Sequence, residues 1–170
     1  MAARTHSLNL GDDDTLPAWQ TVIGLSEVMD TSRLTIIGGL MVYLHASRGG
    51  VQMPRSTDDA DLLLDMIVHR DGLSAFSRAV KQLGFELRRE GRYAYRFHHA
   101  DGRKVDVLVP DHLPSGIRPR LARKPALEAP GGQQAIDRRE AYTLEFGGGQ
   151  VVTVGVPDEI GALVMNAMGA

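Results

Sequence analysis

Residues 55–64 read RSTDDADLLL, and they place two carboxylates, Asp59 and Asp61, at the start of an apolar run. Successive side chains of a β-strand point to opposite faces, so these two carboxylates are predicted to lie on the same face. Two carboxylates on one face can share a divalent cation, and Mg²⁺ is commonly bound by one or two carboxylates together with water and substrate phosphates. The stretch therefore predicts a strand that carries a metal–nucleotide site.

A glycine pair precedes this stretch, between a predicted strand and a predicted helix. Residues 33–37 form a short β-branched run, Gly38-Gly39 follows at once, and residues 40–45 are apolar enough to start a helix. Glycine lets backbone N–H groups approach a phosphate closely, and a helix N-terminus adds a partial positive charge. Glycines also serve any tight turn from strand to helix, so the pair alone fits either a phosphate cradle or an ordinary turn.

A third carboxylate, Asp106, lies in the apolar strand predicted over residues 104–109. A buried carboxylate without a partner is costly, so a buried Asp106 implies a nearby cation or hydrogen-bond donor. The alternative is a solvent-facing side chain at a strand edge. Together with the glycine pair and Asp59/Asp61, this residue completes the set of groups that two-metal phosphoryl transfer requires.

The rest of the chain predicts an α/β (α+β) domain, a mixed β-sheet flanked by helices. Residues 1–15 are polar and predict a flexible N-terminal segment, and residues 16–170 predict a single domain. Residues 110–140 predict a loop with at most a short helix. The other predicted elements are helices over 16–29, 73–83 and from 157 onward, a hairpin of 85–90 with 93–98, and a hairpin of 142–146 with 150–155.

The composition fits a small enzyme better than a scaffold. Hydrophobic residues make up 43% of the 170 residues and charged residues 24%, and the formal net charge is −2, so any basic surface is local. The absence of cysteine excludes a disulfide framework and a thiolate zinc site, and it fits a cytoplasmic location. No apolar run reaches the roughly 18 residues of a membrane helix, and no Walker loop or Gly-x-Ser-x-Gly motif is present.

The combination of motifs resembles the nucleotidyltransferase superfamily that includes DNA polymerase beta. Within it, the chain looks most like the AbiEii and MenT type of bacterial toxin-related nucleotidyltransferases. The resemblance covers about residues 33–110, less than half of the chain. The motifs that carry it are Gly38-Gly39, Arg55-x-Thr57-x-Asp59-x-Asp61 and the strand around Asp106.

The resemblance implies transfer of a nucleoside monophosphate from a nucleoside triphosphate to a hydroxyl, with release of pyrophosphate. Asp59 and Asp61 would bind two Mg²⁺ ions. Asp106 would complete the metal site and help to deprotonate the acceptor. All three are therefore expected as both catalytic and metal-binding residues.

The resemblance also assigns the nucleotide-binding residues. Gly38 and Gly39 would cradle the triphosphate, while Arg55, with Thr57, would steady the phosphates or the loop that carries the aspartates. Many superfamily members have Ser at the position of Gly39. Several toxin-like relatives have glycine there, as this chain does. Those relatives also continue into a helical C-terminal region with a nucleotide-binding Lys and Asp, which has no evident counterpart before Ala170.

The sequence leaves open which molecule accepts the nucleotide. Arginine and lysine are frequent over 88–104 and 118–124, and a basic strip beside the site would suit RNA, most of all a tRNA end; a solvated, salt-bridged outer face is the alternative. A protein hydroxyl is a second acceptor. A role as the toxin of a toxin–antitoxin system would add an antitoxin protein as partner. The competing functions are nucleotide transfer to a small-molecule antibiotic, and a non-catalytic module that binds a nucleotide or a partner.

Overall fold

A large mixed β-sheet organises the chain. The computed structural model describes residues 4–52 and 57–168. Short 3₁₀ helices cover Asp12–Thr15 and Thr31–Arg33. The other elements, in chain order, are β1 (Thr5–Gly11), α1 (Pro17–Val28), β2 (Leu34–Ile37), α2 (Gly38–Arg48), β3 (Asp59–Leu64), α3 (Gly72–Gln82), β4 (Glu86–Leu87), β5 (Arg96–His98), β6 (Lys104–Pro110), β7 (Arg120–Leu121), β8 (Lys124–Pro125), β9 (Glu128–Ala129), α4 (Gly132–Asp137), β10 (Arg139–Phe146), β11 (Val151–Pro157) and α5 (Glu159–Met168).

The sheet has the strand order β1-β10-β11-β2-β3-β6-β5-β4, and β9 adds to β6 outside this path. The pairs β1/β10, β11/β2, β3/β6 and β6/β9 are parallel, and the other neighbours are antiparallel. The predicted mixed sheet flanked by helices is thus confirmed. Strands β7 and β8 form a separate two-stranded pair, so the region predicted as loop also contains short strands.

The two faces of the sheet are covered unequally. Helices α1, α2 and α3 bury the main core on one face, where Trp19, Met41 and Phe76 are almost fully enclosed. A smaller apolar cluster, to which Leu63 of β3 belongs, lies under α4, and Met165 of α5 packs against it. Because side chains alternate along a strand, the residues two and four positions before Leu63 lie on this second face.

The N-terminal segment corrects one prediction. Residues Thr5–Gly11 form β1 and pair with β10 from Thr5↔Ala141 to Gly11↔Phe146. The prediction of a flexible segment over residues 1–15 is therefore wrong for the described part of that segment. The physical reason is that the partner strand lies more than 130 residues later in the chain, and a short polar strand shows little local periodicity of its own.

Across the described ranges, every helix falls short of the length and apolarity that a membrane crossing requires.

Candidate active site

The three predicted carboxylates lie side by side on neighbouring strands. β3 and β6 run parallel, and their register pairs Asp61 directly with Asp106. Asp59 stands two residues before Asp61 on β3, so its side chain lies on the same face. The structure therefore brings Asp59, Asp61 and Asp106 together on the face of the sheet opposite the main core.

Asp61 has a perturbed pKa. Its carboxyl is half-buried, and this burial, reinforced by the negative charges of Asp106 and Asp59, raises its pKa from near 3.8 to about 6. The positive charge of Arg96 acts in the opposite direction. A divalent cation would neutralise the negative charges gathered around Asp61.

Asp106 is buried and paired with an arginine. It is 7% exposed, and the Arg96 guanidinium donates to both of its oxygens, from Nε to Oδ1 at 2.7 Å and from Nη2 to Oδ2 at 2.7 Å. The ion pair raises the pKa of Arg96 well above its usual range. The partner that a buried Asp106 requires is thus a protein cation. Sequence reasoning placed Arg96 only in a general basic cluster and missed this role.

Gly38 makes a close approach to the carboxylate cluster. Its φ is +65°, and a Cβ atom built on it would overlap Oδ2 of Asp61. The neighbouring Gly39 faces the side chain of Thr57, because a Cβ on Gly39 would lie 3.1 Å from the Thr57 Cβ. α2 begins at Gly38, and within the described residues no side chain caps its first amides. The predicted cradle therefore lies against Asp61.

Thr57 supports the start of β3. Its Oγ1 accepts a hydrogen bond from the Asp59 amide at 3.3 Å and donates to the Asp59 carbonyl oxygen at 3.1 Å. This geometry favours the second of its two predicted roles, to steady the loop that carries the aspartates. Arg55 lies outside the described residues.

The donor atoms at this site suit a hard cation. Carboxylate oxygens are the ligands that Mg²⁺ prefers. No group of three or more His, Asp or Glu side chains is arranged to hold a metal ion anywhere in residues 4–52 and 57–168. The ion pair with Arg96 occupies both oxygens of Asp106, which leaves Asp59 and Asp61 as the carboxylates to which a cation has direct access.

A basic and aromatic pocket adjoins the carboxylates. Its volume is about 270 Å³, and the side chains that line it include Arg88, Glu90, Arg92, Tyr93, Tyr95 and Arg96. The Arg92 guanidinium lies over the Tyr93 ring at 5.4 Å, and that of Arg96 lies over the Tyr95 ring at 5.6 Å. Arg96 also binds Asp106, so this side chain joins the pocket, hereafter the hairpin pocket, to the carboxylate cluster. Clefts of about 480 and 370 Å³ elsewhere contain none of the predicted site residues.

Comparison with protein-family models, with curated proteins and with solved structures gives no match to this chain. Membership of the nucleotidyltransferase superfamily therefore stays a prediction that rests on the residues above.

Proposed function

We propose that this chain is a Mg²⁺-dependent nucleotidyltransferase that moves a nucleoside monophosphate from a nucleoside triphosphate to a hydroxyl. The observation that carries the proposal is the register of β3 and β6, which sets Asp61 beside Asp106 with Asp59 on the same face. Gly38 lies directly against Asp61, so a triphosphate held at the start of α2 would meet the carboxylates. These are the parts that phosphoryl transfer needs.

In the proposed reaction, the acceptor oxygen forms a bond to the α-phosphorus and the bond from that phosphorus to the bridging oxygen breaks. Pyrophosphate leaves, and the hydroxyl proton passes to a carboxylate, for which we propose Asp106. Asp59 and Asp61 are the residues that would hold Mg²⁺, which neutralises charge on the phosphates when bound. Gly38 and Gly39 expose the backbone amides that orient the triphosphate.

RNA is the acceptor that the hairpin pocket supports best. Arg88 and Arg92 supply positive charge, and Tyr93 is 37% exposed. Arginines interleaved with tyrosines bind single-stranded nucleic acid through phosphate contacts and base stacking. A tRNA end is the leading candidate, and a role as a toxin held in check by an antitoxin protein is part of the same proposal.

The test is incubation with each labelled nucleoside triphosphate, Mg²⁺ and total RNA. We expect label on RNA with the unchanged protein and none with Asp59→Asn/Asp61→Asn. Asp58→Asn is the matched control, because Asp58 is an exposed carboxylate one residue before β3, and it should retain the activity. Label on protein or on a small molecule would replace RNA as the acceptor, and no label on any of the three would refute the transferase.

A second function is favoured by one observation, the ion pair that occupies both oxygens of Asp106. A chain in which this pair never opens would bind a nucleotide without turnover. Calorimetry with a nucleoside triphosphate and Mg²⁺ separates the two cases: tight binding without product supports the non-catalytic module, and turnover excludes it.

A further inference from the structure

The ion pair between Arg96 and Asp106 sets a cation of the protein in competition with a metal ion. Arg96 on β5 and Asp106 on β6 are direct cross-strand partners. Both carboxylate oxygens accept hydrogen bonds of 2.7 Å from the guanidinium. A bidentate pair of this kind is among the stronger hydrogen-bonded contacts in proteins. Each oxygen keeps a further lone pair, but the adjacent guanidinium charge repels a metal ion, so Asp106 becomes a favourable metal ligand only after Arg96 has moved away.

Arg96 has room to move and a surface to move along. Its side chain is 25% exposed, whereas the Asp106 side chain is 9% exposed. The guanidinium lies over the Tyr95 ring and lines the hairpin pocket. Asp106 is thus the fixed partner of the pair, and Arg96 is the one that can turn toward solvent.

Opening the pair needs two replacements at once. A buried carboxylate that loses its partner carries a large penalty, so Asp106 requires a new cation. Arg96 in turn requires a new anion, and guanidinium groups bind phosphate with the same bidentate geometry that they use for carboxylate. A metal ion alone supplies only the first replacement and a nucleotide alone only the second, whereas a metal–triphosphate complex supplies both.

We propose that Arg96 is a positioning residue that holds Asp106 away from metal until a nucleoside triphosphate draws the guanidinium onto its phosphates. The inference rests on the proposed function, since it concerns the same carboxylates. Metal and nucleotide then bind cooperatively: each prepares the site for the other. By linkage, the nucleotide strengthens metal binding by the same factor as metal strengthens nucleotide binding.

The test is calorimetric titration of the full chain with Mn²⁺, without nucleotide and with a nonhydrolysable nucleoside triphosphate. In the unchanged protein, the nucleotide should tighten Mn²⁺ binding by about 5- to 150-fold, the usual range of coupling between sites. Arg96→Met should tighten Mn²⁺ binding to the nucleotide-free protein by a comparable factor, and the further gain from nucleotide should shrink. Far-ultraviolet circular dichroism checks that each variant is folded.

Two further variants make the result specific. Arg103→Met removes the same charge from the turn between β5 and β6, but its guanidinium pairs with Asp101, so Mn²⁺ affinity should stay within about twofold of the unchanged protein for a surface charge screened by solvent. Arg96→Lys keeps a charge but cannot form the bidentate pair. It should give a smaller gain in Mn²⁺ affinity than Arg96→Met, and it serves as the test if the methionine variant does not fold.

The titrations distinguish failure of the Arg96 proposal from failure of the proposed function. If Mn²⁺ binds the unchanged protein and neither Arg96 variant alters its affinity or its coupling to nucleotide, the role of Arg96 is refuted while the metal site stands. If the unchanged protein binds no Mn²⁺ even with nucleotide, the proposed function itself is refuted.

Discussion

A methyl group at Gly38 should disrupt the candidate site through both backbone strain and overlap. Gly38 has a φ of +65°, and a Cβ there would overlap Asp61 Oδ2 while lying 3.0 Å from Asp61 Cγ and 3.1 Å from Asp61 Cβ. Turning the carboxylate about its last bond would relieve the contact with the oxygen but not the other two. Gly38→Ala therefore forces Asp61 or the start of α2 to shift.

The expected loss of stability can be divided between the two effects. Placing a Cβ at positive φ costs about 1–2 kcal/mol, and overpacking costs about 1–3 kcal/mol more, so Gly38→Ala should lower the free energy of unfolding by about 2–5 kcal/mol. Gly50→Ala is the matched control, because Gly50 has a φ of +72° with nothing within 4 Å of the added carbon. It should lose only the strain, about 1–2 kcal/mol.

Urea unfolding of the two variants and of the unchanged protein measures the difference. The same samples should show weaker Mn²⁺ binding for Gly38→Ala and unchanged binding for Gly50→Ala. Equal losses of stability in the two variants would refute the close contact between Gly38 and Asp61, and with it the claim that the glycine turn is built against the carboxylates.

Two further predictions concern charge. Because the pKa of Asp61 is raised to about 6, the native state holds this proton more tightly than the unfolded chain does, and the free energy of unfolding falls as the pH rises from about 4 to about 6. Asp61→Asn should therefore be more stable than the unchanged protein at pH 8, by at most about 3 kcal/mol. At pH 4 the two proteins should be nearly equal in stability. A stability difference that does not change with pH would contradict the raised pKa of Asp61. Arg48 donates to Tyr142 Oη at 3.0 Å and lies 3.5 Å from Glu140 Oε2. Glu140 is 9% exposed and keeps a second partner in His6 Nε2 at 2.5 Å, so Arg48→Met should cost about 1–3 kcal/mol in urea unfolding. Arg33→Met, which breaks a more exposed pair with Asp71, should cost less than about 1 kcal/mol, and equal costs would show that Glu140 is stabilised without Arg48.

The elements that carry the site were predictable because each has a local signal. Gly38-Gly39 marks the boundary between β2 and α2, and the pattern of Asp59, Asp61 and Leu63 sets the face of β3. Strand β1 was not predictable in this way. Its pairing with β10 depends on residues far along the chain, and its exposed alternate positions resemble those of a solvated segment.

The contact between Arg96 and Asp106 could have been predicted from the sequence, but from the position of a turn and not from the alternation of side chains along a strand. A tight turn at Asp101-Gly102 fixes the register of the hairpin, so that His98 pairs with Lys104 and Arg96 with Asp106. Alternation predicts only that about half of the hairpin arginines lie on each face. Counting outward from the turn would have selected Arg96, because hairpin register follows from the turn.

The raised pKa of Asp61 follows from its place at a boundary on one face of the sheet. Two residues further along β3, Leu63 is fully buried in the cluster under α4, whereas Asp61 is half-buried beside Gly38. Asp61 and the apolar cluster around Leu63 are thus only two residues apart on the same face of β3. The carboxylate loses part of its hydration there and still has an open side, from which a cation can approach. A fully buried aspartate without a cationic partner would stay neutral, and a fully exposed one would bind a cation only weakly. The apolar face of β3 therefore does more than fill the core, since it sets the degree of burial that raises the pKa of Asp61, and under the proposed function a metal ion would take the place of that proton.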